Sequence, residues 1–289
     1  MLARAPRWLG IISGVFLISA CVIESSRPST PEIEGTNFEV RVSYENKSEG
    51  GSSNGSSRGH STLVERILKA DRSGVLIEYD FPEDTTEEER LPEWRYPTRL
   101  LVESNGTVRL MNADELETRN FDWRSRANIS EDACGSWYFT WNAFKVECDP
   151  NSMIADLEAF RVPVLHIQEG TEISEPGAVS AEPLLLTQKS PRRFRANFDL
   201  DPEVIRQARA EEDVIVSKFL DDDPITFDQA LERRAAEEIS GTLTTTLELD
   251  NEGRVVKRTR LSLISITLPD GLSERQTSSQ TTIREIQPD

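Results

Sequence analysis

The sequence predicts an α+β fold dominated by antiparallel β: one curved sheet of roughly eight to ten strands, with two or three helices packed on its concave side. Three observations carry this. Residues 242–249, 254–268 and 272–286 are long runs rich in Thr, Leu and Ile, separated by turn-formers at 250–253 and 269–271. Leu243, Thr245, Leu247 and Leu249 alternate in phase, as do Leu261 and Leu263, with Ile264 and Ile266 on the opposite side. Shorter alternating segments recur in the first half, two of them around Asp71 to Gly74, which suggests a hairpin, and two around Ser104-Asn105-Gly106, a strong hairpin turn.

In chain order, 38–44 reads as a half-buried strand and the Gly/Ser-rich 47–59 as a loop. Strands follow at 62–70, 75–81, 99–103 and 107–111, then a short helix at 112–118. Residues 82–98 hold six acids and three prolines and read as a solvated acidic loop. Residues 160–167 look like a strand, 169–183 like a loop and 184–187 like a short strand. Asp201-Pro202-Glu203 is a helix start, with Asp as cap, Pro at the first helical position and an acid at the positive dipole end. Its helix runs to Leu220. Thr226 with Gln229 forms a capping box for a second helix, on which Phe227, Leu231, Ala235 and Ile239 share a face and Gly241 supplies the terminal cap.

The chain has 289 residues, with 51 acids against 33 Lys and Arg, for a net charge of −18. So acidic a surface repels phosphate backbones, which argues against nucleic acid as a partner. Two histidines, His60 and His166, leave little for a histidine-rich metal site. There is no G-x-S-x-G and no phosphate-cradling glycine loop. Asp221, Asp222, Asp223 and Asp228 fail the EF-hand pattern, since Thr226 stands where its glycine is required. Arg192, Arg193 and Arg195 are the one local basic cluster, expected to pair with acids of the chain. No residue is assigned to catalysis, to a cofactor or to a metal.

The N-terminus is the most specific signal. Arg4 and Arg7 precede twelve mostly apolar residues, 9–20, which span about 18 Å as a helix and fall short of a ~30 Å hydrocarbon core. No second long apolar run follows. The segment reads as an export signal ending in Ile18-Ser19-Ala20-Cys21. Those residues resemble a bacterial lipobox: aliphatic, small, small, cysteine. The resemblance covers about 21 residues and implies that Cys21 is lipidated and begins the mature chain. The division it implies is a signal peptide at 1–20, a lipidated N-terminus and flexible tether at 21–35, and a single acidic domain at 36–289 with its helical segment near 202–240. Val22, where an Asp resembles an inner-membrane retention signal, points to the outer membrane facing the periplasm. The alternative is cleavage after Ala20 and a soluble periplasmic protein.

With Cys21 lipidated, Cys134 and Cys148 remain, and an exported chain most simply joins them. A loop of this length is worth about 3 kcal/mol in the chain-entropy model. Between them lie Trp137, Tyr138, Phe139, Trp141 and Phe144, either a stapled local core or, at Trp137, Tyr138 and Trp141, an aromatic ligand surface.

These readings converge on a lipid-anchored cell-envelope protein, held to the membrane by its anchor, that binds an apolar ligand or an envelope protein without catalysis. The alternatives are a structural or assembly lipoprotein and a hydrolase using Asp or Glu. Replacing Cys21→Ser is expected to abolish acylation and membrane fractionation; a variant still acylated and membrane-bound would overturn the lipobox reading.

Overall fold

Strand follows strand in space in chain order, with one permutation: the last strand pairs with the first. In the computed structural model the described residues are 33–51, 54–71, 73–104, 106–139, 143–163, 167–187, 192–220 and 224–287. The first half holds β1 (Asn37–Gly50), β2 (Gly55–Asp71), β3 (Gly74–Asp80), the single-turn α1 (Glu87–Arg90), β4 (Thr98–Glu103) and β5 (Val108–Leu110). A connecting region holds α2 (Ala113–Ala127), the hairpin of β6 (Trp137–Phe139) and β7 (Ala143–Lys145), α3 (Ser152–Asp156), β8 (Glu172–Ile173) and β9 (Glu182–Pro183). The second half holds β10 (Leu185–Leu186), β11 (Arg193–Asp199), α4 (Pro202–Leu220), α5 (Phe227–Arg234), β12 (Glu238–Leu249), β13 (Val255–Thr267) and β14 (Ser273–Ile286).

Ten of these strands form one antiparallel sheet in the order β10-β11-β12-β13-β14-β1-β2-β3-β4-β5. The chain is therefore α+β and mainly antiparallel β, as its alternating pattern predicts. The seam between the halves is the β1–β14 pair, in register from Phe38 opposite Ile286 to Gly50 opposite Glu274.

Alternation sorts the sheet into two faces. On the covered face, Phe38, Val40 and Val42 of β1, Leu63 and Ile67 of β2 and Ile77 and Tyr79 of β3 are buried. They form one core with Leu116 of α2, Met153 of α3 and Leu157 just after it. A second core joins Phe194, Ala196 and Phe198 of β11 to Leu243 and Leu247 of β12, under Val162, Ile167, Ile173 and Leu184 of the connecting region. Between the two cores lies β14, whose covered-face residues run Glu274, Gln276, Ser278, Gln280, Thr282 and Arg284, with an apolar side chain only at its exposed last residue, Ile286.

The expected capping box forms, Thr226 with Gln229 on α5, and a second one, Thr86 with Glu89, opens α1 within the acidic segment. Asp201 caps α4 by accepting from the Glu203 N–H at 2.9 Å. Four expectations need correction. Residues 47–59 are mostly strand rather than loop, because β14 on one side of β1 and β2 on the other satisfy their backbone. The helix expected at 112–118 runs on to Ala127. Residues 161–163 are irregular rather than strand; their apolar side chain Val162 joins the second core from a covering segment. The second late helix stops at Arg234, and Ile239 and Gly241 belong to β12. Ile239 satisfies a four-residue and a two-residue period alike, and the strand wins because Ile239, Gly241 and Leu243 continue its covered face. Gly241 is no helix cap: a Cβ there would lie 3.1 Å from Leu200 Cδ1, so the absent side chain is what lets the chain entering α4 pack on β12.

The strand β2 outruns its neighbour. Pairing with β3 covers Val64 to Asp71, whereas pairing with β1 extends back to Gly55. The Ile67 N–H donates to Thr36 O at 3.0 Å and Gly35 N–H donates to Ile67 O at 2.8 Å, so Ile67 and every second residue before it face β1. The backbone groups of Ser56, Arg58, His60 and Thr62 therefore point away from β1, to a side with no strand among the described residues. Hydrogen exchange followed residue by residue is expected to show slow amides at Ser57, Gly59 and Ser61 and much faster ones at Arg58, His60 and Thr62; uniform protection along 56–62 would refute this edge.

Candidate functional site

Two polar arrangements stand out, one sealed and one open. The sealed one sits on the covered face where the two halves meet. Arg284 of β14 crosses β1, its guanidinium 3.5 Å from the ring centroid of Phe38, and reaches Glu65 on β2. Its Nε donates to Glu65 Oε1 at 2.9 Å. The Tyr79 hydroxyl on β3 donates to the other carboxylate oxygen at 2.9 Å. Glu65 and Arg284 are each 2% exposed and Tyr79 is fully buried. Burial, and then the Glu65 carboxylate beside it, hold the Tyr79 phenol well above the usual range, so it stays a donor.

Next along the covered face, Arg258 donates to the carbonyls of Glu158 and Ala159 at 2.8 and 3.2 Å, and the Thr282 hydroxyl donates to Ala159 O at 2.7 Å. Burial, with Arg260 adjacent, lowers the Arg258 guanidinium to about 10. Arg260 pairs with Glu175 at 3.0 Å, and Glu175 accepts from the Thr245 hydroxyl at 2.7 Å. These groups bind the connecting region to the centre of the sheet. Their partners are other parts of the chain, and the arrangement reads as structural.

The open arrangement is the other face of β12, β13, β14, β1 and β2. Register places its side chains in three rows. Thr246, Thr259, Thr281, Ser43 and His60 form the first; Thr244, Leu261, Ser279, Glu45 and Arg58 the second; Thr242, Leu263, Thr277, Lys47 and Ser56 the third. Neighbours are about 4.8 Å apart across strands and about 6.8 Å apart along them. Nine hydroxyl side chains thus surround Leu261 and Leu263, which are 37% and 45% exposed. A shallow depression of about 420 Å³ lies toward β2, between Ser43, Glu45, Arg58, His60, Ser279 and Thr281. The field ends beyond β2 in an ion ladder: Arg66 meets Glu78 at 3.1 Å and Asp80 at 3.4 Å, Arg99 meets Glu78 at 2.9 Å, and Arg90 of α1 meets Asp80 at 3.0 Å.

This surface offers donors, acceptors and two apolar contacts at fixed spacing. His60 and Ser43 stand opposite each other, yet among the described residues no hydrogen bond joins them and no carboxylate orients the imidazole. Nucleophilic activation needs both.

The residues marked in the sequence are scattered. Cys134 and Cys148 are joined, with Cα atoms 5.6 Å apart. Trp137 is half-buried and Tyr138 is 43% exposed; neither belongs to the two cores. Trp141, His166, Cys21 and Asp221 to Asp223 lie outside the described residues. Arg193 pairs with Glu248 at 3.7 Å, while Arg195 donates to Asn197 and Thr244. Glu93 in the acidic segment pairs with Arg95 at 2.8 Å. No group of three metal-ligating side chains occurs among the described residues, and none of their helices is long and apolar enough to cross a membrane. The open rows were missed in the sequence because their signal, an alternate-residue Thr and Ser pattern, is also that of any solvated strand.

No family model matches the chain, and no curated protein does. Among solved structures it is similar to lipovitellin, in a structure of its lipid–protein interactions, with a TM-score of 0.44 and 9% identity over 89% of this chain and 26% of the other. The chain thus spans about a quarter of lipovitellin. It is also similar to Ail, the attachment invasion locus protein of Yersinia pestis, with a TM-score of 0.17 and 5% identity over 87% of this chain and 99% of the other. Likenesses this distant assign no activity.

The sealed cluster makes a stability claim. Arg284→Met leaves Glu65 buried without its cation and is expected to cost about 3–5 kcal/mol, whereas adding Glu65→Leu recovers most of that loss. Urea unfolding of the two variants decides it; a double variant no more stable than the single one would contradict the pairing.

Proposed function

We propose that the chain is a lipid-anchored envelope protein that works by binding, and that an envelope protein partner docks on the open face around Leu261 and Leu263. The observation that carries this is the three-row field itself: five adjacent strands leave one face uncovered, with hydroxyls at regular spacing, two exposed leucines on β13 and charges at its β1 and β2 margin. Apolar anchors ringed by polar groups are the ordinary anatomy of a protein interface. The anchor at Cys21 supplies the membrane attachment, because a chain of net charge −18 gains nothing from anionic lipid.

The apolar-ligand reading has less support. A carrier needs an apolar cavity between sheet and cover. At the centre of the covered face stand Arg258, Thr282 and Arg284 with their partners, polar groups where a carrier would need an apolar wall.

Photo-cross-linking in living cells tests the choice. A benzophenone side chain at Leu263 is expected to capture one stoichiometric envelope protein, and one at Glu83 in the acidic segment is not. Capture at Glu83 alone would move the interface to that loop, and recovery of co-purifying lipid with no protein adduct would restore the carrier.

A further inference from the structure

We propose that the overhang of β2, residues 55–63, is a docking edge that adds an extended peptide carrying acidic side chains to the sheet as an eleventh strand. The proposal concerns the backbone edge of β2 rather than the leucines of the open face, and it does not require the docking proposed above, although Arg58 and His60 belong to the margin of that face.

The backbone of Ser56, Arg58, His60 and Thr62 offers four donors and four acceptors to a side that no described strand occupies. At about 3.4 Å per residue the nine-residue overhang is about 30 Å long, enough for a full strand ladder. The two terminal strands of the sheet are the usual places for such addition, but they are three and two residues long. Folded proteins blunt long free edges with proline, lysine, bulges or covering segments. This overhang has no proline or lysine, its pairing with β1 is unbroken by a bulge, and glycine or serine fills five of its nine positions. On the covered face Gly59 is crossed by the Tyr44 ring, which leaves no room for a Cβ there.

Charge selects the occupant. Arg58 is exposed and, among the described residues, has no hydrogen bond or ion pair, although Glu45 stands opposite it. An unpaired guanidinium is conspicuous in a chain with 51 acids against 33 bases. His60 projects from the same side two residues away. A strand laid on this edge places a side chain about 5 Å from Arg58, where a carboxylate pairs and an ammonium group is repelled. Strand addition then follows its usual division: backbone bonds give affinity, and alternate side chains give selection. A second copy of the chain fits less well. Two-fold pairing centred on Gly59 sets Arg58 against His60 of the other copy and brings two strongly acidic chains together.

The test uses the full chain in detergent solution and a fluorescent nine-residue peptide in which valine alternates with glutamate, followed by anisotropy. The glutamate peptide is expected to bind at least about tenfold more tightly than the same peptide with lysine for glutamate. His60→Pro removes one outward N–H and is expected to weaken binding about tenfold or more; Arg58→Glu is expected to reverse the peptide preference. Should His60→Pro fail to fold, N-methylation of the peptide at alternate residues removes the same ladder from the other side and is expected to abolish binding. Binding of neither peptide, equal binding of both, or binding indifferent to N-methylation overturns the proposal. A dimer in sedimentation that Arg58→Glu dissociates assigns the edge to a second copy and overturns it too.

Discussion

The buried pair of Glu65 and Arg284 is what the rest of the sheet leans on. Arg284 is on the last strand and Glu65 on the second, with β1 between them, so the bond spans a strand it does not belong to. Phe38 fills the space beneath the guanidinium, and Tyr79 holds the carboxylate from the far side. Four adjacent strands therefore share one charged knot. Replacing a buried pair with apolar residues is often neutral in stability. What this pair adds is selectivity in register. A one-residue slip of β14 against β1 would carry Arg284 to the open face and leave Glu65 buried without its cation.

A central strand as polar as β14 has a cost. Apolar side chains on neighbouring strands cannot merge across it, and the covered face breaks into two cores, one for each half of the chain. The connecting region bridges the break with main-chain carbonyls as well as side chains: Glu158 and Ala159 accept from Arg258 and Thr282, and the Glu175 carboxylate meets Arg260 and Thr245. The same polarity leaves the reverse of β14 lined with Thr277, Ser279 and Thr281, which form the middle column of the open rows. Polar pattern on the two faces of one strand thus shapes both the interior and the surface proposed for binding.

Legibility in the sequence followed the strength of local signals. The three late strands, the Asp71–Gly74 turn and the capping boxes at Thr86 and Thr226 are local patterns with one physical reading; the first and last of these were seen plainly, and the Thr86 box was hidden inside an acidic run. The overhang was hidden for the opposite reason. Its residues 55–61 are Gly, Ser, Arg and His, poor strand formers whose extended shape is imposed by β1, which is itself held by β14 more than two hundred residues away. No window of sequence contains that constraint. Ile239 shows a third failure, in which one residue satisfies two periods and only the pairing partner Ile266 decides between them. The partner of Arg284 was equally invisible, because a charge on an alternating strand reads as solvated until its opposite number is located.

The seam between β1 and β14 also orders events in time. Contacts of such sequence separation form late, since closing the loop between them is costly. Each half has its own core and can collapse first, which leaves β1 as a bare edge while the chain awaits its final strand. A polypeptide in that state is exposed to others like it. Along the waiting strand, Glu39, Arg41, Glu45, Lys47 and Glu49 all project from one side. In the finished sheet Arg41 bonds Glu285 and Lys47 bonds Glu49, contributions that are small on an exposed surface. Before β14 pairs, charges at these positions disfavour edge-to-edge association of unfinished sheets, so the margin of the face proposed for binding serves the sheet in assembly as well.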